Sequence, residues 1–267
     1  MQRTVSADLS ATTIAGTRVI LAIAVAQPEG YDAVDERLTV LVDGREAHIR
    51  EHSDADGTRM HILDTPRPAD LEIHYRAVVT GSAPDSPGDE ADLIRYVRPS
   101  RYCESDRVLP TAYAQFPDVT GADLVHAVRE WVFDELSYVP GSSRFTDGAV
   151  DTLVARMGVC RDYAHLVIAL LRAKDVPARL ASVYAPGLSP MDFHAVVEAW
   201  VGGSWHLIDA TGLAPRASML RIATGRDAAD TAFLSTVGGS LQLSAMTVTA
   251  TVDRLPLERP VERLTLR

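Results

Sequence analysis

Three side chains of this 267-residue chain have the types and chain order for nucleophilic acyl transfer: Cys160, His194 and Asp209. Cys160 follows Gly158-Val159 and precedes a run, Ala164 to Leu171, that is apolar nearly all round. That pattern predicts a buried helix starting at or beside the cysteine. The unpaired N–H groups and positive end of such a helix favour a thiolate, the nucleophilic form. A thiolate still needs a base to stabilise it and to hand a proton to the leaving group.

Geometry sorts the candidate bases. His165 stands five residues along the same helix, a rotation of about 140° that carries it away from the sulfur. His206 lies on the predicted strand of Asp209, three residues before it, so the two side chains point to opposite faces. His194 is different. If Gly202-Gly203 form a two-residue hairpin turn, Val201 pairs with Ser204 and His194 falls opposite Thr211, leaving Asp209 diagonal on the same face. The acid then orients the imidazole, and the three groups form a generalised triad for acyl transfer. The backbone N–H of Cys160 supplies one oxyanion donor, and Tyr138 is the candidate for the second. Tyr184 and the loop Pro186 to Asp192 sit between triad-flanking strands, which makes Tyr184 a candidate for substrate contact. Asp162 and His165, one helical turn apart, read as groups that bond each other or cap nearby backbone. Trp131, Trp200, Trp205 and Cys103 read as core. No two of the three histidines share a helix face at ligand spacing, so they do not read as a metal site.

The elements that position these groups fall into two parts, with expected bounds 1–105 and 106–267. From Val5 to about Thr80 the pattern is short, β-branched and alternating, with strands expected at Arg18 to Ala26, Arg37 to Val42, His48 to Glu51, Arg59 to Leu63 and Leu71 to Val79. Turn signals such as Asp43-Gly44 and Asp56-Gly57 separate them, as in a small sandwich or barrel. Ser82 to Asp89 reads as an exposed loop, and the junction lies near Pro99 to Pro110. Helical periodicity follows at Asp123 to Tyr138, then from about Thr146–Ala149 to Gly158, then from Cys160 onward. After Pro177 the period becomes two, giving strands at Ala178 to Ala185, Phe193 to Val201 and Trp205 to Ala210. A further run, Leu241 to Val252, is expected to return to that sheet, and Val261 to Arg267 reads as a final strand or a tail.

Composition narrows the function classes. With 36 acidic against 26 basic side chains the net charge is -10, and the Arg residues are scattered singly. A nucleic-acid binder needs a concentrated basic stripe, so none is expected as a partner. No apolar stretch approaches the roughly 20 residues that cross a bilayer. The run Val19 to Ala26 is short and reads as a buried strand rather than a leader, so the expected location is the cytoplasm, with both cysteines reduced.

These residues also carry a family resemblance. Gly158-Val159-Cys160-Arg161-Asp162-Tyr163-Ala164-His165-Leu166, followed by Leu170 to Ala173 and Val176 to Arg179, resembles the transglutaminase-like core. His194-Ala195 with Trp200, and Trp205 with Asp209-Ala210-Thr211, resemble its other two blocks, in the right order. Tyr96 to Cys103 is similar to the junction in bacterial members with an N-terminal β-domain, and Thr224 to Asp230 to their C-terminal motif. One departure is Ala210, where many relatives carry Pro. The resemblance implies an α+β fold, an N-terminal β-sandwich-like domain followed by a papain-like core of helices on an antiparallel sheet, with no metal or organic cofactor. The expected activity is cysteine-dependent hydrolysis of an amide or peptide bond in a peptide or protein substrate. Transfer to an amine, and a binding module without activity, are the alternatives.

Overall fold

Alternation of small apolar side chains builds the first layers. The structure, a computed structural model, describes residues 1–86, 88–257 and 264–266. In Gln2–Thr13 (β1), Val5, Ala7, Leu9 and Ala11 are all buried, the period-two pattern of a strand lying on a core. Thr17–Leu21 (β2), Ala33–Val42 (β3), Arg45–Glu46 (β4), Arg50–Ser53 (β5), Arg59–Thr65 (β6) and Ala69–Thr80 (β7) follow.

The chain then turns helical with Glu90–Tyr96 (α1), Leu109–Gln115 (α2) and Gly121–Glu135 (α3). Ser137–Tyr138 (β8) is extended, so α3 stops short of the Tyr138 expected from periodicity. Leu136, at the C-cap, is already extended (φ -107, ψ 143), so the helix ends at Glu135. Ala149–Ala155 (α4) ends on Arg156, at φ 55 in the left-handed region, rather than on Gly158. Met157–Gly158 (β9) then pairs in parallel with β8, Tyr138 opposite Gly158. Cys160–Ala173 (α5) is buried continuously from Asp162 to Ala173. Ala178–Tyr184 (β10), Phe193–Val201 (β11), Ser204–Ile208 (β12) and Leu220–Gly225 (β13) form an antiparallel sheet in the order β12-β11-β10-β13, and α5 lies on β11 and β10 with α2, α3 and α4 around it.

Ala228–Thr231 (α6), Leu234–Val237 (β14) and Leu241–Val252 (β15) complete the described elements. β14 pairs with β2, and β15 pairs with β1 along its length, instead of joining the sheet of β10 and β11. Alternation marks β15 as a half-buried strand but does not say which sheet receives it. Val248 and Ala250 are buried in the N-terminal core, which decides the matter. Both ends of the chain therefore build the β layers, β15-β1-β7-β3-β4 and β14-β2-β6-β5. Of the expected final strand, Leu264 to Leu266 lies in irregular structure with the Leu264 carbonyl accepting the Leu207 N–H, while residues 258–263 and 267 lie outside the described residues.

The apolar core of the β layers continues into Tyr184, Phe193, Leu220 and Ile222 of the second sheet. Beside that shared core lies a buried ionic cluster. Glu198 of β11 accepts from Arg179 at 2.8 Å and from Arg221 at 2.7 Å, and Arg179 lies 3.6 Å from Asp56 of the N-terminal layers. Burial works against the charge on Glu198, but the two guanidinium groups outweigh it and hold its carboxyl at about 2. Removing one member leaves buried charge uncompensated. Glu198→Ala is expected to cost about 3–5 kcal/mol in chemical denaturation, and far more than Asp64→Ala, whose two arginine partners are exposed.

Candidate active site

The nucleophile candidate sits where the sequence places it. Val159 is extended at the N-cap (φ -115, ψ -178), Cys160 is the first helical residue, and the Asp162 carboxylate closes the turn by accepting the Val159 N–H at 2.8 Å. Gly158 is required here. A Cβ on it would fall 2.6 Å from the Cβ of Asp162. Cys160 is only partly covered, unlike the fully buried Cys103, and both cysteines are free thiols.

The hairpin positions the other two groups. Gly202 and Gly203 adopt φ 63 and 86, the doubly positive geometry that a tight two-residue turn needs. Val201 pairs with Ser204, and the ladder runs to Val197 opposite Ile208. Asp209 leaves the strand there, and the N–H and hydroxyl of Thr211 donate to its Oδ1 at 2.8 and 2.7 Å. Its Oδ2 lies 2.9 Å from Nε2 of His194. Arg129 of α3 donates to the Asp209 carbonyl at 3.2 Å. The two partners are 2% and 5% exposed, so water does not compete for the bond. Nδ1 of His194 has no hydrogen-bond partner among the described residues. The Cys160 thiol acts on the ring, and Nδ1 is the nitrogen left to face it.

Burial alone would keep His194 neutral. The charge and hydrogen bond of Asp209, with Cys160 adding in the same direction, overcome it and raise the imidazole to about 10. Asp209 is also buried, yet His194 and Thr211 hold its carboxyl below the usual carboxylate range. The His194 contribution to stability is therefore complete below about pH 6.5, the ordinary value for histidine, and is lost as pH rises through about 10. The stability gap between the wild type and His194→Gln is expected to narrow from pH 6.5 to pH 10. Denaturant melts across that range check it.

Tyr138 is brought to the same place by the β8–β9 pairing. Burial, then the nearby Cys160, push its hydroxyl up to about 12, while the Cys160 backbone N–H that it accepts works against the rise. The residue is 40% exposed, and its ring centroid lies 5.9 Å from that of Tyr163. Tyr184 is a correction. It is 0% exposed, donates its hydroxyl to the Ile23 carbonyl at 2.8 Å and packs on Tyr75 and Phe193. β10 is covered on both faces, and the Tyr184 ring lies in the core shared with the β layers. Met191 and Asp192, at the end of the loop before β11, are exposed.

Asp162 and His165 do not bond each other. Asp162 caps the helix, whereas His165 accepts the Ala228 N–H at 3.1 Å and stacks on Tyr102. Burial lowers His165 to about 3 and keeps it neutral. Asp227 accepts the Tyr102 N–H, and Arg172 donates to the carbonyls of Arg98, Ala178 and Arg226. The junction segment and the 224–230 segment thus meet behind α5 and fix the helix that presents Cys160. His206 bonds the Val201 carbonyl, away from Asp209. Among the described residues no group of three or more His, Cys, Asp or Glu side chains is placed to hold a metal ion.

Residues 113–210 match the core of the transglutaminase-like superfamily. Over 99% of its length the chain aligns with the crystal structure of a candidate cysteine protease from Cytophaga hutchinsonii, at 33% identity and a TM-score of 0.88, covering 96% of that chain. The chain belongs to the transglutaminase-like superfamily. The superfamily match contains Cys160, His194 and Asp209, and the structural likeness extends across the β layers as well. Similar curated proteins include an uncharacterized protein of Mycobacterium leprae, 28% identical over 143 residues, and one of Mycobacterium tuberculosis, 32% identical over 114 residues. These matches take in 49% and 37% of this transglutaminase-like chain. They span 50% and 36% of the two relatives, so the chain matches half or less of their length.

Proposed function

We propose that the protein is a cysteine-dependent amide or peptide hydrolase that works through a thioester on Cys160. One observation carries this reading: a buried His194–Asp209 bond leaves the other imidazole nitrogen unpartnered beside a thiol at the start of a buried helix. In the first half-reaction the sulfur attacks the carbonyl carbon and the carbonyl oxygen takes up the electron pair. The Cys160 N–H, and Tyr138 once its hydroxyl turns from accepting to donating, hold that oxyanion. When the tetrahedral intermediate collapses, the C–N bond breaks and Nδ1–H of His194 protonates the departing amine. The neutral ring then takes a proton from water as the water attacks the thioester, and returns it to the sulfur. Asp209 holds the ring throughout and stabilises its charged form.

Tyr138→Phe removes one oxyanion donor and is expected to lower kcat about 10²-fold with KM little changed, measured on a peptide selected from a fluorogenic library. The same acyl-enzyme attacked by an amine would give transamidation. Incubation with a labelled primary amine and a glutamine-containing protein separates the two: release of ammonia or peptide without incorporation supports hydrolysis, and incorporation faster than hydrolysis overturns it. A binding module without activity predicts that Cys160 reacts no faster than an ordinary thiol.

A further inference from the structure

The transglutaminase-like core places a carboxylate beside the cleft that the reaction above does not use. Asp192 is exposed, and among the described residues its only hydrogen bond is the 2.7 Å one that Oδ1 accepts from the N–H of Phe193. Among the described residues no Arg, Lys or His side chain pairs with it in an ion pair. It is held in place from both sides. Met191 accepts the Ala250 N–H on its sulfur at 3.3 Å, and Phe193 is buried in the shared core with its ring 4.8 Å from that of Phe233. The field of Asp192 reaches both the Tyr138 hydroxyl and the His194 ring; partial burial raises its own carboxyl and outweighs the Phe193 N–H and the charge of His194, which lower it.

The cations near the cleft are already engaged. Arg161 donates to the Arg144 carbonyl and pairs with Asp162, while Arg129 pairs with Glu130 and donates to the Asp209 carbonyl. Asp209 is compensated by His194. Asp192 is thus the carboxylate that an incoming molecule meets. Its position on the chain says which part of that molecule. The ring that protonates the leaving nitrogen must lie beside that nitrogen, and Asp192, directly ahead of β11 and two residues before His194, acts on that ring, so it borders the leaving-amine side rather than the acyl side.

We propose that Asp192 is a specificity-determining residue that selects a cationic side chain, ammonium or guanidinium, on the residue whose amine departs. The inference rests on the Cys160–His194 reading and deepens it. A peptide bond followed by Lys or Arg fits this site better than one followed by a neutral or acidic residue.

The test uses the full chain and two matched leaving-group mimics, lysinamide and norleucinamide, which differ in the terminal ammonium. Each is titrated as a protector of Cys160 against iodoacetamide, with labelling followed by mass spectrometry and normalised to each variant's unprotected rate. Lysinamide is expected to protect at about fivefold lower concentration than norleucinamide, the scale of a partly exposed ion pair, and the advantage is expected to shrink at high salt. Asp192→Asn is expected to bring the two to equality, and Asp192→Glu to restore the preference. Equal protection in the wild type, including no protection by either, overturns the assignment, as does a preference that survives Asp192→Asn. Failure of the underlying reading looks different: unprotected labelling of Cys160 would be no faster than for a free thiol and indifferent to His194→Ala.

Discussion

His194→Ala is expected to slow alkylation of Cys160 by iodoacetamide at pH 6 about a hundredfold, because an unassisted thiol is less than about 1% thiolate at that pH. In the wild type, Asp209 keeps the imidazole protonated well above neutrality, so a cation stands ready beside the sulfur. Alanine removes that cation and leaves only the helix N-terminus to favour the anion. The helix contributes less than an adjacent full charge, since its field corresponds to roughly half an elementary charge at the terminus. The measurement is the pH dependence of labelling in both proteins. Wild-type labelling should persist into mildly acid solution, while the variant should approach the profile of a simple thiol. Peptide turnover should be lost in parallel.

Asp209→Asn is expected to lower kcat by about 10⁴ while leaving the fold intact. The substitution keeps shape and volume in a site where both partners are almost fully buried. The Thr211 N–H and hydroxyl, however, require an acceptor where Oδ1 now stands. An asparagine oriented to satisfy Thr211 turns its NH₂ toward Nε2 of His194. Nε2 must then be the acceptor and Nδ1 carries the proton in the neutral ring, so Nδ1 can no longer serve as the base that activates water. Asp209→Ala would lose as much activity and also stability, because it leaves the Thr211 donors and Nε2 buried without partners. Thermal melting beside kinetics separates the two variants: asparagine should lose activity with a modest change in melting temperature, alanine should lose both.

The site was legible in the sequence where local chemistry dictates backbone. Gly158 must be glycine because Asp162 occupies the space of a side chain, and the apolar run after Cys160 can belong only to a buried helix. Gly202-Gly203 fixes the hairpin, and the register of the hairpin fixes the face that His194 and Asp209 share. Asp209 nevertheless lies one residue past the end of β12, where Thr211 rather than a ladder bond holds it. What stayed hidden depends on tertiary neighbours. Periodicity cannot tell a strand covered on one face from one covered on both, so Tyr184 reads as a cleft residue although its hydroxyl is tied to Ile23. Nor can alternation in Leu241 to Val252 choose between two sheets, and the strand joins β1. Asp192 fell inside a loop that the sequence places between triad-flanking strands, but its exposure beside the His194 ring, with no Arg or Lys ion pair among the described residues, emerges only in three dimensions.

Capture of the acyl-enzyme tests the central claim most directly. Rapid acid quenching of the full chain during turnover of a cleaved peptide, followed by mass spectrometry, should find the acyl fragment on the peptide containing Cys160. The adduct should be released by hydroxylamine, as a thioester is, and both adduct and turnover should vanish in Cys160→Ala. Hydrolysis that persists in Cys160→Ala, or an adduct carried by another residue, would contradict the account.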